Sequence, residues 1–218
     1  KDDWPFLVLQ NFSKASGQYN QSASMQQKFA LLLAQACSRE LIPKGFWVDL
    51  GAGTGLLADA LETFHPNQSI IRVDGSREML QKNHTNAKTQ TWDLNQGLPK
   101  WTQKPNLIAS SFALHWLHSP STRLQEWFSI LPPGGYLAIA LPIKGSFKEW
   151  HEAAEKAGVV FNANELPSYK SIIQNFHSRN IKHESIHSFT QEESKVISLL
   201  KPIIRTGAQT SQRLKHLS

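Results

Sequence analysis

The sequence predicts an α/β protein with a Rossmann-like, doubly wound and mostly parallel sheet. Three observations lead there: short apolar runs alternate with amphipathic helical stretches, a glycine loop joins the first run to the next helix, and aspartates close successive runs. The 218 residues, 40% hydrophobic and 18% charged with 12 Gly and 11 Pro, have the composition of an ordinary folded domain and length enough for a buried core. Disordered and fibrous classes are thereby excluded. No run nears the roughly 18 apolar residues of a membrane helix, and the start Lys1-Asp2-Asp3-Trp4-Pro5 lacks a secretory pattern. Cys37 is the single cysteine, so no internal disulfide can form and a soluble, cytoplasmic protein is expected.

Met25, Phe29, Leu32, Leu33 and Ala36 recur at helical spacing and predict an amphipathic helix over 22–40, stopped by Pro43 and Gly45. Phe46 to Leu50 reads as a buried strand running into Gly51-Ala52-Gly53-Thr54-Gly55, after which Leu56, Leu57, Ala60, Leu61 and Phe64 mark a helix. Residues 69–73 form a second strand closed by Asp74, and Ser76 caps the helix that turns Met79 and Leu80 inward. A third strand over 89–92 ends at Asp93, and a fourth covers 106–112. A helix over 122–131, the turn Pro132-Pro133-Gly134-Gly135 and a fifth strand over 136–141 follow. Beyond Phe147 the pattern weakens to helices near 147–157, 168–177 and 192–206, with one strand candidate over 181–189. The expected organisation is a single compact domain of three segments: an N-terminal helical segment over 1–45, the Rossmann-like core over 46–145, and C-terminal helices with an edge strand over 146–218.

Glycines at alternate positions after a strand let a ligand approach the backbone and aim free N–H groups at an anion. The dinucleotide pattern G-x-G-x-x-G is not met, because Leu56 holds its third glycine position, and no Gly-Lys-Ser/Thr follows as a phosphate loop requires. In an open parallel sheet the ligand lies across the carboxyl ends of the strands. Asp74 there can accept from both hydroxyls of a ribose. Asp93 is either an acceptor for an adenine amino group or a solvated loop carboxylate.

The stretches 48–55, Val73-Asp74-Gly75-Ser76 and Leu131-Pro132-Pro133-Gly134-Gly135-Tyr136 together resemble the class I S-adenosylmethionine-dependent methyltransferases. The resemblance implies a glycine loop against the methionine part of the cofactor, Asp74 on the ribose diol, and Asp93 with Leu94 beside the adenine. Met79 packs near the adenine or in the core. Within the superfamily, Phe12 to Asn20, Ser111 to Trp116 and Pro142 to Trp150 resemble the malonyl-acyl carrier protein O-methyltransferases of biotin synthesis, the BioC family. Trans-aconitate methyltransferases share part of the pattern. In such enzymes the N-terminal segment folds over the cofactor, making Tyr19 a candidate contact. The expected site for S-adenosylmethionine, and its product S-adenosylhomocysteine, is therefore Tyr19, Asp49, Gly51, Ala52, Gly53, Gly55, Asp74, Gly75, Ser76, Met79, Asp93, Leu94 and Ser110, with no metal ligands. The family closes its sheet with an antiparallel hairpin, of which only 181–189 is legible, so a final antiparallel strand is expected to be missing.

Methyl transfer from a sulfonium is an in-line displacement, and a carboxylate acceptor is already ionised at neutral pH. No general base is then required, in keeping with the absence of a Ser-His-Asp or Cys-His pattern. Arg205 and Lys144 are candidates to hold the acceptor carboxylate. His115 and Trp116, just after the fourth strand, are candidates for the acceptor wall. Their alternatives are a solvated surface for the cations and plain packing for the ring pair. The net charge of +6 favours an acidic partner, for which the resemblance implies acyl carrier protein bearing a malonyl group. A small free acid is the alternative acceptor, and cofactor binding without turnover the alternative role. Nucleic acid is disfavoured, because Ser110-Ser111-Phe112-Ala113 lacks the Asn/Asp-Pro-Pro-aromatic motif of base N-methyltransferases. A nicotinamide-dependent oxidoreductase would need the wider glycine spacing.

Overall fold

The computed structural model describes residues 4–159 and 163–210, so parts of the segments expected over 1–45 and 146–218 lie outside the described residues. Helices α1 (Trp4–Ala15), α2 (Tyr19–Ser22) and α3 (Ser24–Ser38) precede β1 (Trp47–Leu50) and α4 (Leu56–Phe64). Then come β2 (Ile70–Asp74), α5 (Arg77–Leu80), β3 (Lys88–Thr91), β4 (Leu107–Ser111), α6 (Pro120–Ser129) and β5 (Tyr136–Ala140). A short β6 (Lys144–Phe147), α7 (Lys148–Lys156), α8 (Tyr169–Ile173) and α9 (Val196–Arg205) complete the order. The sheet runs β3-β2-β1-β4-β5, with every neighbouring pair parallel.

The period of two along a strand divides the core. Trp47, Leu107 and Ala109 pack with Ala30, Ala34 and Cys37 of α3 and Leu57 and Leu61 of α4 on one face. Val48, Leu50 and Ile108 meet Leu124 and Trp127 of α6 on the other. Apolar runs buried on both sides are what a helix-covered parallel sheet demands. The chain reverses direction of winding between β1 and β4, and that switch point opens a crevice at the carboxyl end of β1.

Two expectations are corrected. No strand forms over 181–189: residues 182–188 are exposed, and Ile186 is 66% accessible. The stretch holds too few alternating apolar residues to bury a strand face. Among the described residues β5 therefore pairs only with β4, and the sheet is parallel throughout, without an antiparallel edge. The second difference is one of detail: within the expected N-terminal helical segment, α1 (Trp4–Ala15) is a separate helix ahead of the one expected over 22–40. Its buried Trp4 and Val8 stand four residues apart with Phe12 one further turn on, and Pro5 occupies the first turn, where its missing N–H costs no bond.

Candidate active site

The glycine loop is tied down from within. The amides of Gly51 and Ala52 donate to the Val73 carbonyl, that of Gly53 to Asp74 Oδ2 at 2.8 Å, and that of Gly55 to the Ala52 carbonyl. The expectation of free amides aimed at an anion is thus corrected. Gly51 is required by contact: at φ +73 a Cβ would collide with that of Ala113. The loop offers its carbonyls and open surface, and no phosphate cradle.

Above it lies a cavity of about 100 Å³ at the carboxyl ends of β1, β2 and β4. It is lined by Asp49, Asp74 and Asp93 and, among the described residues, by no Lys, Arg or His. Asp49 on β1 is fully buried beneath α4, and its oxygens find no full hydrogen bond, the Ala58 amide offering only a weak one. Burial pushes its carboxyl up from the ordinary 3.8 to about 7, opposed by the nearby Arg72 charge. Such an orphaned carboxylate calls for a cationic ligand group, which fits the ammonium of S-adenosylmethionine.

Asp74 is also raised by burial, but its oxygens are engaged: Oδ1 accepts from the Ser76 amide at 2.8 Å and Oδ2 from Gly53. Each oxygen keeps a lone pair for a diol. Burial, and then the charge of Asp74, push the Tyr19 phenol up, which keeps it a neutral donor facing the cavity. Asp93 caps a turn through the Asn95 amide, 2.9 Å from its Oδ1. Because both Asp74 oxygens accept from backbone N–H groups, Asp74→Asn turns an NH2 toward one of those donors. It should cost about 1–3 kcal/mol of stability, read as a lower urea midpoint at unchanged slope.

Of the expected cofactor residues, Tyr19, Asp49, Gly51, Ala52, Gly53, Asp74, Gly75, Met79, Asp93 and Leu94 line the cavity. Gly55, Ser76 and Ser110 do not. Gly55 faces the interior below the loop, and Ser76 caps α5 by accepting from the Met79 amide at 3.1 Å. Ser110 donates its hydroxyl to the Leu50 carbonyl at 2.7 Å, whereas the neighbouring Ser111 lines the cavity with a buried, unpartnered hydroxyl. Strand alternation decides between the pair, and the sequence placed the wrong member at the site. The resemblance implies an N-terminal cover but names only Tyr19 in it; Pro5, Val8, Leu9 and Phe12 of α1 also line the cavity, and Phe12 meets Trp116 edge-on at 5.5 Å. Leu9 sits on Gly75, where a Cβ would lie 2.6 Å from its Cδ2, and Ser13 bonds Ser76 at 2.8 Å. At about 100 Å³ the space under α1 is narrow beside known ligand pockets, which run from about 300 Å³.

On the other side of Trp116 a trough of about 2690 Å³ opens along β5, α3 and residues 163–192. His115 and Lys144 line it, and Trp116 borders both spaces. His115 is 7% exposed and its Nδ1 has no partner; burial drives its pKa down to about 3. It is therefore a neutral wall and too weak a base to take a proton at neutral pH. Arg205 is exposed on α9 and lines neither space. Cys37 is buried under α3 with its thiol pushed up to about 12 by burial and Glu40, which leaves no thiolate nucleophile. Phe112, at φ +56, turns the chain sharply between β4 and the His115 turn. Strain of this kind concentrates at functional sites.

A parallel sheet ordered 3-2-1-4-5, with an acid-lined crevice at the switch point, fits a class I methyltransferase domain. The chain belongs to that family: the model of the Methyltransferase domain family matches residues 21–194. Among curated relatives it is similar to the malonyl-acyl carrier protein O-methyltransferase of Hamiltonella defensa, at 28% identity over 77% of this chain and 64% of the relative. To the enzyme of the same name from Alcanivorax borkumensis it is 29% identical over 74% of this chain and 56% of the relative. The chain thus spans less than two thirds of these relatives. Among solved structures its fold resembles an S-adenosylmethionine-dependent methyltransferase from Thermotoga maritima, with a TM-score of 0.57 and 21% identity over 77% of this chain and 78% of that one.

Proposed function

We propose that this chain binds S-adenosylmethionine at the carboxyl ends of β1 and β2 and directs methyl transfer to a free carboxylate, that of a malonyl group carried on acyl carrier protein. The observation that carries the reading is the charge of the cavity. Buried carboxylates and no cationic lining residue suit a ligand bearing an ammonium and a sulfonium, and repel the pyrophosphate of a dinucleotide. When bound, the cofactor supplies an electrophilic methyl group. Asp49 would hold the ammonium, Asp74 the ribose, and Asp93 with Leu94 the base, beneath the cover that α1 provides. Trp116 borders both cofactor cavity and trough, together with Phe12, Tyr19 and Phe112, so an acceptor in the trough would approach the donor across this aromatic boundary. A carboxylate acceptor needs no proton removed, which agrees with a neutral His115 and a protonated Cys37.

The three segments take roles accordingly: 1–45 as cover, 46–145 as cofactor core and 146–218 as the acceptor side. The relatives' names support the malonyl acceptor, and a cytoplasmic setting goes with it. The test is mass spectrometry of malonyl-acyl carrier protein incubated with this protein and S-adenosylmethionine, with malonyl-CoA and trans-aconitate in parallel. A methyl ester on the carrier-bound malonyl group is expected. Transfer to trans-aconitate alone would replace the acceptor, and cofactor binding with no transfer to any acid would overturn carboxylate methylation.

A further inference from the structure

The solvent face of α9 is unlike the rest of the surface. At a helical period Ile197, Lys201, Ile204 and Arg205 fall on one side, and all four are exposed, Ile197 at 52% and Ile204 at 51%. Val196, at 67%, extends the apolar part at the first turn. Neither Lys201 nor Arg205 takes part in an ion pair among the described residues, and α9 contains no acidic side chain. Glu192 and Glu193 precede the helix: Glu192 lines the trough, and Glu193 accepts from the Gln191 side-chain amide at 3.1 Å. Branched apolar residues exposed beside uncompensated cations mark a surface made to be covered by an acidic partner with apolar contacts of its own.

The opposite face of α9 fixes where that surface sits. Leu199, Leu200, Pro202 and Ile203 line the trough, and Ile204 reaches both its rim and the exposed stripe. The end of the helix is anchored: Asn11 of α1 donates to Thr210 at 2.8 Å, and a Cβ on Gly207 would lie 2.6 Å from the Asn11 carbonyl oxygen. The helix thus flanks the acceptor space, and the chain just beyond it is joined to α1 over the cofactor cavity.

We propose that the Ile197, Lys201, Ile204 and Arg205 face of α9 is the docking surface for the acidic carrier protein that presents the acceptor. The proposal rests on the carrier-bound reading above, and it gives the exposed Arg205 a role outside the trough. Charges at such a rim act on encounter and on partner choice, and leave the reacting centre alone.

The test compares the wild type with Lys201→Glu/Arg205→Glu on two malonyl thioesters, malonyl-acyl carrier protein and malonyl-CoA. The expected result is a KM for the carrier raised about tenfold or more with kcat little changed. Malonyl-CoA turnover should be equal in the two proteins, which also reports that the variant folds. Charge removal by Lys201→Ala/Arg205→Ala should give a smaller shift of the same sign. An unchanged carrier KM in the charge-reversed protein overturns the docking face while leaving carboxylate methylation standing. If neither thioester is methylated the functional reading fails, and docking is then read from the anisotropy of fluorescently labelled holo-acyl carrier protein. Binding by the wild type that the charge reversal abolishes supports the face, and equal or absent binding overturns it.

Discussion

Asp49→Asn is expected to make the free protein more stable at pH 8 and to weaken S-adenosylmethionine binding at least about tenfold, the loss of a buried charge pair. The carboxyl is raised from the ordinary 3.8 to about 7 by burial. Between those values the folded state holds a proton that the unfolded state has released, so stability falls as pH rises through this window and the full penalty applies above it. A shift of about three units corresponds to about 4 kcal/mol at most. An asparagine carries no charge to desolvate, though its buried amide lacks partners and returns about 1–3 kcal/mol of that gain. Wild-type melting temperature should accordingly drop between pH 5 and pH 8 by more than that of the variant. Binding runs the other way. A cationic group beside Asp49 stabilises its ionised form, so in the wild type cofactor affinity falls as pH drops below about 7, approaching tenfold per unit, and binding there releases a proton. Calorimetric titration in buffers of different ionisation enthalpy reads both effects. If the variant keeps the same pH slope and proton release, Asp49 is not the group that meets the cation.

Asp49, Gly51, Asp74 and Asp93 are legible as residues lining the cavity because each lies at or just past the carboxyl end of a strand, where the crevice opens. Ser110 and Ser111 show the limit of that logic. Adjacent residues on a strand point to opposite faces, and nothing local says which hydroxyl a neighbouring strand will claim; the Leu50 carbonyl on β1 claims Ser110. Helix α1 is readable in principle, since Trp4, Val8 and Phe12 keep a helical interval, but its place over the cavity depends on Leu9 meeting Gly75 across more than sixty residues of chain. Arg205 reads in the sequence as a cation on the acceptor side, and the long-range packing of α9 turns it outward. The strand candidate over 181–189 rests on few apolar residues, and the exposed run over 182–188 does not supply the alternation to form it.

Gly55→Ala should be among the most damaging single substitutions in the loop, and for a reason that lies beneath it. The Arg72 side chain is fully buried on β2, with Nη2 2.7 Å from both Asp59 and Glu62 and Nη1 donating to Asn83 Oδ1 at 2.7 Å. Asn83 in turn donates to the Gly53 carbonyl at 3.0 Å, so a buried guanidinium holds the loop through one amide. A Cβ on Gly55 would collide with Asn83 Oδ1 and Arg72 Nη1, and the residue stands at φ +94. The third glycine therefore comes one position earlier than in a dinucleotide loop because the support below needs the space. Left-handed backbone costs alanine about 1–2 kcal/mol, and displacing partners of a buried charge adds to that, up to about 3–5 kcal/mol if the network breaks. Guanidinium unfolding should thus place Gly55→Ala at least about 3 kcal/mol below the wild type, within the range reserved for such mechanisms. Asn83→Ala removes the nearest obstacle, so the double variant should be more stable than the sum of the two losses by about 1 kcal/mol or more. Simple additivity would mean that the backbone angle alone demands glycine and that Arg72 and Asn83 do not set the spacing.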